Sequence, residues 1–194
     1  RGIQDQCISQ TLVYKKPPCQ RPYLSKEEII VAPSMSREME EMKVRLLNTK
    51  HPNLLMYYSI SSQYKDNKLL LTSQSEFMDL LDIHTFVVGL NSALPSSFLR
   101  YTLVQLMEAL SYVRYECGRV VESLTPYNIL MCTDESMPLP RIKISNFMRS
   151  VSPNTPYHKL CFCAPEILHD WQWDIQRPHS KQDVWSLGMI LYFI

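Results

Sequence analysis

An α+β fold is predicted for this chain, a sheet-rich front followed by a helix-rich back, and two patterns predict it. Before residue 77 the apolar residues gather in short runs bounded by proline and polar clusters, as strands do. After Pro95 they recur at helical spacing: Leu99, Leu103, Leu106, Leu110 and Val113 step by 4, 3, 4 and 3 along one face. With 194 residues, 45% of them hydrophobic and 20% charged, the chain can enclose a core in one domain or two small lobes.

Each element follows from local chemistry. Residues 11–14 read as a first strand, 16–22 as a proline-broken connection, and 29–32 as a second strand ended by Pro33. Ser36 is placed to cap a helix whose first turn carries Glu38, Glu40 and Glu41, suited to a helix N-terminus. Met39, Met42 and Leu46 share one face of that helix, and Glu41 is expected on its solvated side. His51-Pro52-Asn53 is a turn leading into strand-like runs 54–60 and 68–72. The long helix that follows Pro95 is closed by Gly118. A short apolar strand pair, 129–131 and 142–144, flanks the loop 133–140. The stretch 148–180 reads as irregular apart from a short helix at 164–169, and 184–194 reads as a helix. These elements divide into a unit 1–76, a small sheet with one helix, and a helical unit 77–194.

The formal net charge of +1, from 20 basic and 19 acidic side chains, gives no electrostatic reason for nucleic acid or an anionic membrane as partner. No apolar run approaches the ~18 residues of a membrane span, and no signal-peptide core is seen, so a cytoplasmic location is expected. The six cysteines form no C-x-x-C pair. The one local cluster, His158, Cys161 and Cys163, falls short of the four or so ligands of a zinc site. Only four glycines are present, none clustered as a phosphate-cradling loop requires.

Several segments, in order, resemble the eukaryotic protein-kinase domain. Residues 38–43 and His51-Pro52-Asn53-Leu54 are similar to that family's helix C and the turn after it. The helix after Pro95 and Asn128-Ile129-Leu130-Met131 resemble helix E and the end of the catalytic loop. Ala164-Pro165-Glu166 is the A-P-E motif, and Asp183-Val184-Trp185-Ser186-Leu187-Gly188 resembles the start of helix F. The resemblance covers nearly the whole chain. It implies a bilobal fold with a small β-rich N-lobe and a helical C-lobe, incomplete because it stops within helix F.

Such a domain needs a glycine loop, a phosphate lysine, a catalytic aspartate and two metal-holding side chains. Aligned on this chain, the glycine positions become Gln6, Ile8 and Thr11, and the phosphate lysine becomes Ser34 beside Pro33. In the catalytic loop, residues 121–128, Val121 stands for histidine, Glu122 for arginine, Ser123 for the catalytic aspartate and Thr125 for lysine, while Asn128 is kept. Serine cannot take a proton at neutral pH as a carboxylate does. Asn146-Phe147-Met148 occupies the D-F-G position, so a neutral amide replaces the metal aspartate. Phe147, Glu166 and Asp183 are retained as framework, and Asp183 is expected to hold backbone N–H groups of the loop at 121–123.

With these changes the resemblance implies no catalysis: a pseudokinase, without ATP or Mg²⁺, that acts as scaffold or allosteric regulator for other proteins or for other domains of a longer chain. The alternative is a weak or atypical ATP-binding serine/threonine kinase, kept open by Asn128 and Asn146. A third class is a degenerate domain that only packs against its neighbours. Ser152-Pro153 and Thr155-Pro156 resemble proline-directed phosphorylation sites, where a phosphate would meet Glu122 as repulsion.

Overall fold

The computed structural model describes residues 5–13, 23–30, 37–65, 68–90, 92–148, 156–172 and 181–194. These form two compact units, Arg1–Lys50 with Leu55–Phe77, and His51–Leu54 with Met78–Ile194. No helix among the described residues is long and apolar enough to cross a membrane.

The first unit is an antiparallel sheet with one helix. Its strands are β1 (Asp5–Val13), β2 (Tyr23–Ile30), β3 (Tyr57–Lys65) and β4 (Lys68–Glu76), in the spatial order β1-β2-β4-β3. Helix α1 (Arg37–Asn48) packs on β3. Leu46, Leu55, Leu69 and Leu71 are buried, as the period-two alternation of β4 and the apolar stripe of α1 require. Lys43 of α1 donates from Nζ to Glu40 at 3.1 Å and to Ser62 Oγ on β3 at 3.2 Å, and Glu41 is exposed.

Both first strands begin earlier than the expected 11–14 and 29–32. Backbone pairing runs unbroken from Asp5 opposite Ile30 to Val13 opposite Tyr23, save for a bulge between Cys7 and Ser9. Ladder hydrogen bonds outweigh the polar composition that obscured 5–10 and 23–28. Gln6, Ile8 and Thr11 therefore belong to one strand interior, and no strand-to-strand turn is centred on them. Ser34, Ser152 and Thr155 lie outside the described residues.

The second unit holds α2 (Ile83–Leu90), α3 (Ser96–Tyr115), the hairpin strands β5 (Ile129–Cys132) and β6 (Arg141–Ile144), α4 (Tyr157–Leu160), α5 (Pro165–Gln172) and α6 (Gln182–Phe193). Helix α2 is short, and Ile83, Phe86 and Val87 form its inward apolar stripe. It is started by Asp82, whose carboxylate accepts the Thr85 N–H and hydroxyl, both at 2.9 Å.

Helix α3 turns inward a face rotated from the leucine stripe, sharing Leu106 and Val113 with it. Phe98, Thr102, Gln105, Leu106, Ala109 and Val113 are buried, whereas Leu99, Leu103 and Leu110 are half-buried. The cause is Gln105, a polar side chain held in the core by hydrogen bonds. Its Oε1 accepts from Asn53 Nδ2 at 2.7 Å and from the Ile142 N–H at 2.9 Å. Asn53 Nδ2 also donates to the Ile142 carbonyl at 2.9 Å, and the Asn53 carbonyl accepts the Ile144 N–H at 2.9 Å. The turn before β3, the middle of α3 and strand β6 are locked together by this network.

Candidate active site

The site is built on the hairpin and on the loop that precedes it. Helix α3 ends near Glu116, and Gly118 takes a left-handed φ of +64°, open to glycine at little cost. The chain then turns inward, with Val120, Val121, Leu124, Thr125 and Pro126 buried. A short 3-10 turn, Pro126–Asn128, feeds β5.

Three hydrogen bonds set the loop's shape. Asn128 Nδ2 donates to the Ser123 carbonyl at 2.7 Å, and the Asn128 N–H donates to the Thr125 carbonyl at 3.0 Å. From α6, Asp183 Oδ2 accepts the Val121 N–H at 2.8 Å, one of the contacts that the resemblance implied. On the far side, the Ser145 N–H and hydroxyl both donate to the Asn128 carbonyl, at 2.8 and 3.1 Å. Asn146 follows at a φ of +55°, a left-handed conformation that asparagine tolerates better than most residues. Phe147, fully buried, anchors the turn from behind.

The loop's polar atoms are unevenly satisfied. Ser123 Oγ, Thr125 Oγ1 and Asp183 Oδ1 are shut from solvent and make no hydrogen bond within the described residues. Burial pushes the Asp183 carboxyl up to about 6, with the nearby Glu122 adding to the rise. The Val121 N–H and Arg114 pull the other way and only partly offset the desolvation.

Around the loop's C-terminal end stands a ring cluster. Tyr127 stacks on His84 of α2 with centroids 4.2 Å apart, and His84 stacks in turn on Phe193 of α6 at 5.3 Å. His158 of α4 meets the Tyr127 ring edge-on at 5.0 Å, and Lys159 Nζ lies 6.0 Å from the ring centroid. Sequence reasoning passed over His84 because α2 is only eight residues long; the apolar spacing of Ile83, Phe86, Val87 and Leu90 and the Asp82–Thr85 cap pair were its available signals.

Of the predicted residues, Ser123, Asn128, Asn146, Phe147 and Asp183 converge on this loop. Glu166 is half-buried at the start of α5, on a groove with Lys181, Val184, Trp185, Gly188 and Met189. Of the cysteine cluster, Cys161 Sγ donates to the His158 carbonyl at 3.1 Å, and burial pushes the Cys163 thiol up to about 11. The Cys163 thiol is therefore not poised as a thiolate ligand.

The family model of the protein kinase domain matches residues 15–194. The chain belongs to the protein kinase family. A probable serine/threonine-protein kinase of Dictyostelium discoideum is 32% identical over 177 residues, 87% of this chain and 19% of that protein. The Arabidopsis thaliana serine/threonine-protein kinase ATG1a is 26% identical over 155 residues, 77% of this chain and 23% of that protein. The chain thus spans about a fifth of the length of these curated relatives. Among solved structures, Rad53 residues 1–466 in complex with AMP-PNP matches with a TM-score of 0.70 at 22% identity, covering 99% of this chain and 47% of that one. This chain accordingly has the kinase fold, a mixed α+β architecture, as a partial domain.

Two expectations are overturned by these relations. Family membership and relatives named as serine/threonine kinases point to an enzyme, against the expectation of a pseudokinase with no activity. The expectation of no ATP or Mg²⁺ falls with it, since the kinase family uses both. There are physical reasons why the replaced residues misled. Gln6, Ile8 and Thr11 are interior to β1 and do not test for a phosphate loop. Ser34 is outside the described residues. Phosphoryl transfer, moreover, is driven by positioning and electrostatics more than by covalent work from the protein, so a missing base slows it without removing the rest.

Proposed function

We propose that this chain is part of the catalytic domain of an atypical serine/threonine protein kinase, slow in phosphate transfer, that binds ATP with Mg²⁺ through neutral oxygen donors. The observation that supports this most directly is the loop itself. Asn128 spends its Nδ2 on the Ser123 carbonyl, which fixes the amide's orientation, and its Oδ1 is the atom that would hold a metal. Asn146 is held in a left-handed conformation, and such strain persists where surrounding structure over-determines it, most often at functional sites.

The donor set fits Mg²⁺, a hard ion that takes oxygen ligands and is commonly shared between one or two protein groups and nucleotide phosphates. Asn128 and Asn146 would hold it, and when bound it would neutralise charge on the transferring phosphoryl group. Two neutral amides bind such an ion more weakly than carboxylates, so affinity is expected to depend on nucleotide and metal together. Ser123, in the place of the base, cannot remove the acceptor's proton at neutral pH. Because a general base contributes roughly 10²–10⁴-fold, turnover is expected well below the ~1–100 s⁻¹ of ordinary protein kinases. Protein substrates are the partners this reading implies.

Thermal melting with and without ATP and Mg²⁺, with transfer of γ-labelled phosphate to serine and threonine peptides, tests this. A metal-dependent rise in Tm and slow transfer, both lost in Asn128→Ala, are expected. No shift and no transfer at millimolar nucleotide would sink the reading.

A further inference from the structure

We propose that the cluster around Tyr127 recognises an anionic side chain, a carboxylate or a phosphate, on the protein segment that docks beside the loop. This deepens the kinase reading and rests on it for the statement that the segment is a substrate.

Tyr127 immediately precedes Asn128, whose amide ties the loop back to Ser123, so the cluster's central ring is part of the same 3-10 turn as the loop's fixed amide. Two helices bring three cation-capable side chains to this one phenol. His84 comes from α2, with its ring 4.2 Å from that of Tyr127, and His158 and Lys159 come from α4, at 5.0 and 6.0 Å. The carboxylate nearest to His84 in sequence, Asp82, directs both its oxygens to Thr85.

The donors suit an anion. A lysine offers three N–H groups, each imidazole at least one, and the tyrosine one O–H. An arginine or lysine of an incoming peptide would meet like charge at the same place, which discriminates as strongly as the attraction does. His84 is held between the Tyr127 and Phe193 rings, so little side-chain freedom remains to be lost when a ligand arrives. His158 is exposed and Tyr127 and Lys159 half-exposed, so the cluster is open to a partner.

The test is fluorescence anisotropy with labelled serine peptides of equal length, carrying glutamate, phosphoserine or lysine beside the acceptor. The glutamate and phosphoserine peptides are expected to bind about fivefold tighter or more than the lysine peptide, roughly the factor of one exposed ion pair. The phosphoserine arm separates phosphate from carboxylate recognition. The paired substitution of His158→Gln with Lys159→Met should erase the difference in a protein that still melts cooperatively and keeps its ATP and Mg²⁺ shift. Equal affinities, preference for lysine, no binding of any peptide, or a preference that survives the substitutions would each overturn the proposal. The ATP and Mg²⁺ melting shift is read on the same samples. Anionic preference without that shift would count against the kinase reading alone, and the shift without the preference against this site alone.

Discussion

Two buried polar sites in the second unit behave in opposite ways. In the Asn53–Gln105 network, Asn53 Nδ2 donates twice and Gln105 Oε1 accepts twice, these contacts lying between 2.7 and 2.9 Å, and Gln105 Nε2 donates to the Pro140 carbonyl at 3.4 Å. In the loop 121–128, Asp183 makes one such bond, while its other oxygen and the hydroxyls of Ser123 and Thr125 make none within the described residues. Buried polar groups are nearly always satisfied, because an unmet donor or acceptor costs about 1–3 kcal/mol. The first site is therefore framework, closed in on itself. The second retains acceptor and donor capacity where chemistry is proposed. Polar residues that look alike in sequence differ here in whether their valences are spent.

The contrast can be broken or sharpened by substitution. The largest effect is expected at the closed site. Asn53→Ala leaves the Ile142 carbonyl without its side-chain donor and takes one donor from Gln105, and should lower unfolding stability by roughly 2–4 kcal/mol in chemical denaturation. A loss below about 0.5 kcal/mol would mean that the network is not framework. Next comes Ser123→Asp, which restores a carboxylate in the base position. Phosphate transfer should rise about 10²-fold, at the low end of what a general base supplies, measured as initial rate at saturating ATP. An unchanged rate would show that Ser123 does not stand where the acceptor's proton leaves.

The smallest expected effect concerns Asp183 and pH. Its folded-state carboxyl lies near 6, above the ~3.9 of an unfolded aspartate, so between those values the folded state binds more protons. Stability contributed by this group is therefore fully present below about pH 4 and falls as pH rises through 6, by about 2 kcal/mol as an order of magnitude. Comparison of stability against pH for the parent and Asp183→Asn isolates the slope. A flat difference between the two curves would mean that burial does not raise this carboxyl.

Much of the framework was legible from the residues. Helices α3, α5 and α6, the hairpin strands and the Asp183 brace follow from apolar spacing and from motif positions that keep their residue types. What was not legible was set by partners distant in sequence. The start of β1 is stabilised by pairing with residues up to Ile30, and the inward turn of α3 is dictated by Gln105 meeting Asn53, 52 positions away. Helix α2 combines the Asp82 cap with a short apolar stripe through Ile83, too brief to stand out in the sequence. For function, the changed residues were legible but their sum was not. Losses at one cooperating site do not add, and the protein kinase relatives outweigh a count of missing groups.

The Val121–Asp183 bond spans 62 positions of chain, and this has a consequence for how the protein is made. At ~5–20 residues per second, a ribosome needs roughly 3–12 s to add the stretch between them. Through that interval α3 and the β5–β6 hairpin can assemble from neighbouring residues, while the loop between them still lacks its tether. The loop 121–128 thus acquires this tether only after the hairpin that follows it has been made.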